Sequence, residues 1–135
     1  ASLTNARLVM KFGMQRLSFA ALKISTAASV LFLIYLFLAP PAFWMFMVYM
    51  MITFFFFGIL FGNLNALAME PLGHIAGIGA SIVGAGTSVI SSPLGIVVGQ
   101  NFDGTIFPLV AGFAVYSLIA IVVMNWAKRP TKSSP

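Results

Sequence analysis

The chain has 135 residues, 61% of them hydrophobic and 7% charged, with a mean hydropathy of +1.06. A water-soluble domain carries about 25% charged residues, so this composition excludes an ordinary soluble fold and makes a bilayer the expected solvent. Seven Lys and Arg against two Asp and Glu give a net charge of +5, but the cations cluster at the ends of apolar runs, which is a topogenic pattern and not a nucleic-acid surface. With no cysteine, disulfides, thiolate metal sites and thiol nucleophiles are excluded.

Residues 1–16 hold Arg7, Lys11 and Arg16 and read as a cytoplasmic basic loop at the end of a preceding helix, with Gly13 as a turn. The first membrane helix is expected over 17–39. Lys23 interrupts it. It either snorkels to the cytoplasmic interface or lines a pathway. Pro40-Pro41 cannot continue the helix and makes a short outer loop. Tyr35, Phe37 and Trp44 mark the outer interface.

A second membrane helix is expected over 43–69. Its upper half is bulky, with Phe54 to Phe57 in a row, and its lower half holds Gly58, Gly62 and Ala66 in a small-residue stripe. Asn63 and Asn65 point in nearly opposite directions. An amide in a span seeks a partner helix or a polar cavity, because leaving it unsatisfied costs several kcal/mol. Pro71 and Gly73 then make a cytoplasmic turn over 70–74 that also carries Glu70 and His74. Those two raise a metal or proton-relay hypothesis, but a metal site needs three or four ligands; helix-end hydrogen bonding explains them more simply.

The third membrane helix is expected over 75–99. Its small residues form two adjacent rows, one through Gly73, Gly77, Ser81 and Ala85, the other through Ala80, Gly84, Ser88 and Ser92. Ile82, Val89 and Ile96 make a branched face for lipid. Pro93 kinks this helix. A moving joint and ordinary tight packing both fit such residues. Residues 100–105 form a periplasmic loop with a turn at Asp103-Gly104, where Asp103 is placed to cap the last helix. The fourth helix is expected over 106–126, with a cytoplasmic basic tail over 127–135. Four crossings put both ends in the cytoplasm. The fold class is therefore an all-α membrane protein of four transmembrane helices.

The stretch LFGNLNALAMEPLGHIAGIGAS, continued by SSPLGIVVGQNFDGTIFPL and preceded by NARLVMKFGMQRL, resembles the last third of the Bcr/CflA-type drug:proton antiporters of the major facilitator superfamily. The resemblance covers nearly the whole chain and aligns its four spans with helices nine to twelve, a partial carboxy-terminal half-bundle. It implies a fragment of a bacterial inner-membrane multidrug efflux transporter, exporting small amphipathic compounds by proton antiport with alternating access. It makes Phe54, Phe57, Asn63 and Asn65 candidate cavity residues, and places Gly58, Gly62, Ala66, Gly77, Ser81, Gly84, Ala85, Ser88 and Pro93 at helix-packing interfaces. The first and last spans would be peripheral. Coupling carboxylates would lie in amino-terminal helices outside this chain, since Glu70 and Asp103 both sit at helix ends.

The implied partners are the lipid bilayer, the missing amino-terminal helices, a small hydrophobic substrate and protons, with no nucleic acid, cofactor or metal. An enzyme is not expected, because no nucleophile–base pair or phosphate loop is present. A small four-helix transporter working as a dimer and a non-transporting membrane assembly protein are the alternatives. The four-helix class wants an intramembrane carboxylate in its first span, where this chain has Lys23.

Overall fold

A computed structural model describes residues 1–128. Arg129 and Lys132 of the expected basic tail lie outside the described residues. Among them five α-helices follow one another: α1 (Ser2–Phe12), α2 (Met14–Leu38), α3 (Phe43–Met69), α4 (Ala76–Gln100) and α5 (Phe107–Ala127). No strand occurs among the described residues.

The helix boundaries have local causes. Gly13 adopts φ 80° between α1 and α2, a conformation open to glycine because it has no Cβ. Ala39 is extended at φ −152°, as expected of a residue before proline. Between α3 and α4 the chain makes a six-residue 3-10 turn, Glu70–Ile75, with Pro71 at its start. Gly104, at φ 85°, turns the chain before α5, and Pro108 sits in the first turn of α5, where its missing N–H is no loss.

Residues 1–16 differ from the expected loop. Ser2–Phe12 is an 11-residue helix laid along α3. A Cβ on Gly58 would come within 3.0 Å of the Ala1 side chain, and one on Gly62 within 3.9 Å of Asn5. The stripe of small residues on α3 thus admits α1. Ala1 lies beside the middle of α3, and α1, which has no buried residue, runs from there over the surface of the bundle toward Gly13.

Among the described residues, three continuous helical stretches are long and apolar enough to cross a membrane: Met14–Leu38, Phe43–Gln100 and Phe107–Ala127. The second holds both α3 and α4, and these run in opposite directions. One core cluster joins Ala21 and Leu22 of α2 to Ile59 and Leu60 of α3 and to Ala120 and Met124 of α5. The other joins Phe32 of α2 to Tyr49 of α3 and Val110 of α5. Both α3 and α5 are therefore antiparallel to α2. Val98 of α4 meets Gly112 of α5, and Leu94 meets Tyr116, so α4 is antiparallel to α5 and hence to α3. The reversal falls at the 3-10 turn, where Ile75 leaves helical geometry at φ −130°, ψ 41°.

The resemblance implied that the first and last spans are peripheral. In this structure α2 is the centre, with α3 on one side and α5 on the other. The cause is a seam of small and hydroxyl residues. Ser18, Ala21, Ser25 and Ser29 of α2 are buried, facing Tyr49 and Thr53 of α3 and Ala114 and Ser117 of α5. Small side chains let helix backbones approach closely, and hydroxyls can bond to their own helix without a partner. Ser18 bonds the Met14 carbonyl at 2.8 Å, and Ser29 pairs with the Tyr49 hydroxyl at 3.1 Å. Above it Phe32 stacks on Tyr49, with centroids 4.5 Å apart and planes 3° from parallel.

Candidate functional site

Several grooves lie between the helices among the described residues. The one framed by all four long helices has a volume of about 490 Å³. Leu22 comes from α2, Phe57, Leu60 and Leu64 from α3, Leu94 from α4, and Phe113, Tyr116 and Met124 among others from α5. Phe57 and Phe113 meet edge to face, centroids 5.4 Å apart, and form its aromatic wall. The Tyr116 hydroxyl donates to the Leu94 carbonyl at 2.8 Å, and the Ser117 hydroxyl donates to the Ala114 carbonyl at 3.1 Å. The polar groups at the wall are thus engaged within the protein. What remains is an apolar and aromatic slot, suited to a ring or alkyl part of a ligand.

The four cavity candidates are not brought together. Phe57 lines the slot, and Phe54, about one turn earlier on α3, is exposed and not among the lining residues. Asn63 is 2% exposed and faces α1. Asn5 donates to its side-chain oxygen at 3.0 Å, and Asn63 returns a bond to the Asn5 oxygen at 2.9 Å. Each amide thereby satisfies the other. Asn65, half-buried, donates to the Phe61 carbonyl one turn back at 2.9 Å. Of the two Asn roles weighed from the sequence, Asn63 takes the helix-joining one. The residues that sequence reading missed here are Asn5, Phe113 and Tyr116. A clue to Asn5 existed, since a buried amide on α3 needs a second polar side chain nearby.

The packing candidates divide between helices. Gly58 and Gly62 lie beside α1, and they and Ala66 are all exposed. On α4 the residues Gly77, Ser81, Gly84, Ala85, Ser88 and Pro93 are all exposed. A Cβ at Gly77 or Gly84 would meet nothing within 4 Å. Ser81 and Ser88 turn their hydroxyls back to the Gly77 and Gly84 carbonyls, at 3.1 and 2.9 Å. The branched residues Ile82, Val89 and Ile96 are exposed as well. Only Gly79 of α4 is buried.

Glu70, Pro71, Gly73 and His74 sit exposed on the 3-10 turn. Among the described residues, no group of three His, Asp and Glu comes together as a metal would require. At the opposite end, Asp103 works through Thr105. Its carboxylate accepts from the Thr105 backbone N–H at 3.0 Å and the Thr105 hydroxyl at 2.6 Å. That hydroxyl in turn accepts from the Phe107 N–H at 3.3 Å, capping α5 at second hand. The Thr105 hydroxyl bond holds the exposed Asp103 carboxyl below its usual range.

Compared with protein-family models, with curated proteins and with solved structures, the chain matches none.

Proposed function

We propose that the chain is the carboxy-terminal part of a multidrug efflux transporter of the Bcr/CflA type, in a bacterial inner membrane. In this reading α2, α3, α4 and α5 each cross the bilayer, and both ends of the chain lie in the cytoplasm. The transporter would export small amphipathic compounds in exchange for protons, rocking one half of the molecule against the other around a midplane site.

The observation that carries the reading is the state of α4. It is a 25-residue helix with one buried residue, Gly79, and two open rows of small residues. Smooth faces of this kind serve to receive other helices, and the remaining helices of this chain pack elsewhere. The slot between α3 and α5 adds a place for the apolar part of a substrate. It is open, and the second wall would come from the amino-terminal half. Neither acid of this chain lines it, which fits a proton-coupling carboxylate on those other helices. The chain alone would not transport.

The test is drug tolerance in a hypersensitive bacterium. The chain alone should leave tolerance unchanged. The whole reading frame that carries it should raise tolerance, and collapse of the proton gradient should abolish the gain. Export by the chain alone would overturn the reading. It would favour instead a dimer of four-helix subunits, which the same open rows on α4 could join; a Gly84→Cys variant would then cross-link to a second copy.

A further inference from the structure

We propose that the groove between α1 and α2 holds a phospholipid of net negative charge, its phosphate on Arg16 and an acyl chain along the groove. The groove has a volume of about 350 Å³ and is lined by Leu8, Phe12, Arg16, Leu17 and Ala20. Four of these are apolar and the fifth is a guanidinium. The reversal at Gly13 brings them together, because its φ of 80° folds α2 back beside α1.

A second cation stands at the same place. The Lys11 ammonium lies 5.4 Å from the centre of the Phe12 ring, which is itself a wall of the groove. These charges have little to neutralise them within the protein. The chain has two acids: Asp103 at the far end of the bundle, bound to Thr105, and Glu70, exposed on the 3-10 turn at the same end as these cations, one carboxylate against Arg7, Lys11, Arg16 and Lys128. Basic residues beside apolar spans attract anionic headgroups, and a planar guanidinium can hold a phosphate by two parallel hydrogen bonds. Free phosphate would leave the four apolar walls uncovered. A zwitterionic lipid would cover them but bring no net charge to the two cations. An anionic phospholipid answers both. The site stands whether or not the chain belongs to a transporter.

The full chain in a non-ionic detergent, examined by native mass spectrometry, tests this with dioleoyl phosphatidylglycerol and dioleoyl phosphatidylcholine in parallel. Phosphatidylglycerol should be retained at concentrations about fivefold lower, as expected for one well-placed cation. Arg16→Gln should remove most of that preference, leaving what Lys11 supplies, and Arg16→Lys should keep more of it. Lys23→Gln, which removes a cation outside the groove, should keep all of it. Ala20→Phe should fill the groove and weaken both lipids. Circular dichroism checks that each variant stays helical. Inorganic phosphate should not displace the bound lipid. Equal retention of the two lipids would overturn the proposal. So would equal losses from Arg16→Gln and Lys23→Gln, displacement by phosphate, or an Ala20→Phe variant that binds as before.

Discussion

The side-chain pair Asn5–Asn63 fixes α1 to α3. Both amides accept and donate within the pair, in surroundings with few other partners. Interhelical hydrogen bonds in membranes contribute about 0.6 kcal/mol on average and up to about 1.7. Removing one partner also strands the other amide, at a cost of about 1–3 kcal/mol if it stays buried. Asn5→Ala and Asn63→Ala should each destabilise the chain by about 1 kcal/mol, and the double variant should lose less than the sum of the two. A double-mutant cycle on denaturant unfolding in micelles reads this directly. Strict additivity would show that the amides do not act on one another. The sequence made Asn63's need for a partner legible, because an amide in an apolar span seeks another polar group; Asn65 meets the same need on its own helix, at the Phe61 carbonyl. It did not make Asn5 legible as that partner. Arg7, Lys11 and Arg16 dominate residues 1–16 and mark a membrane flank, and that signal masks the helix under them. A similar gap concerns Ser25 and Thr53. Both hydroxyls are buried without a partner among the described residues, and each stands one turn from a member of the Ser29–Tyr49 pair.

At the scale of elements, the positions of α2 to α5 were legible, while α1 and the partners of the helices were not. The runs that form α2 to α5 are bounded by Pro40-Pro41, Pro71 and the Asp103-Gly104 turn, and these act locally through φ and missing donors. Which face packs depends on a second helix, and a row of small residues suits any partner. Hence the serines of α2, hidden among Phe, Leu and Ile, make the central seam, while the more conspicuous rows on α4 stay open. Serine can be buried or exposed in a helix at little cost, since its hydroxyl reaches a carbonyl one turn back, as Ser81 does. The contact that does hold α4 to α5 is tight at one point. A Cβ on Gly112 would stand 2.6 Å from a Val98 methyl. Valine is stiff at χ1, so either α4 moves outward or Val98 leaves its rotamer, at a cost of about 1–3 kcal/mol. Gly112→Ala should therefore weaken the α4–α5 contact. Spin labels on the two helices, read by pulsed electron resonance, should report a longer or broader distance. Gly77→Ala, in open space, should leave the distance unchanged. An unchanged distance in Gly112→Ala would mean that Val98 gives way by its rotamer and α4 stays in place.

For the whole molecule, the question is how often the chain crosses the bilayer. Taken as one rod, the 58 residues Phe43–Gln100 would extend about 87 Å, far beyond a hydrocarbon core of about 30 Å. The reversal at Glu70–Ile75 divides them into two lengths, each able to cross once. The end where α1 meets α2 is also the end where α5 finishes, since the Lys128 ammonium lies 3.5 Å from the centre of the Phe19 ring. Arg7, Lys11, Arg16 and Lys128 thus gather at one end. In the proposed reading that end is cytoplasmic, as the positive-inside rule would have it. Trp44, 77% exposed, and Trp126, 71% exposed, sit at opposite ends of the bundle, as interfacial aromatics do. Reporter fusions should place residues 13 and 72 in the cytoplasm and residues 41 and 103 outside. The critical site is 72, because its turn holds Glu70 and His74 and no Lys or Arg, so its own sequence contributes nothing to orientation. Its side is set by the number of crossings before it. A reporter at 72 active on the outer face would mean that α2 or α3 does not cross, and the four-crossing topology would fail with it.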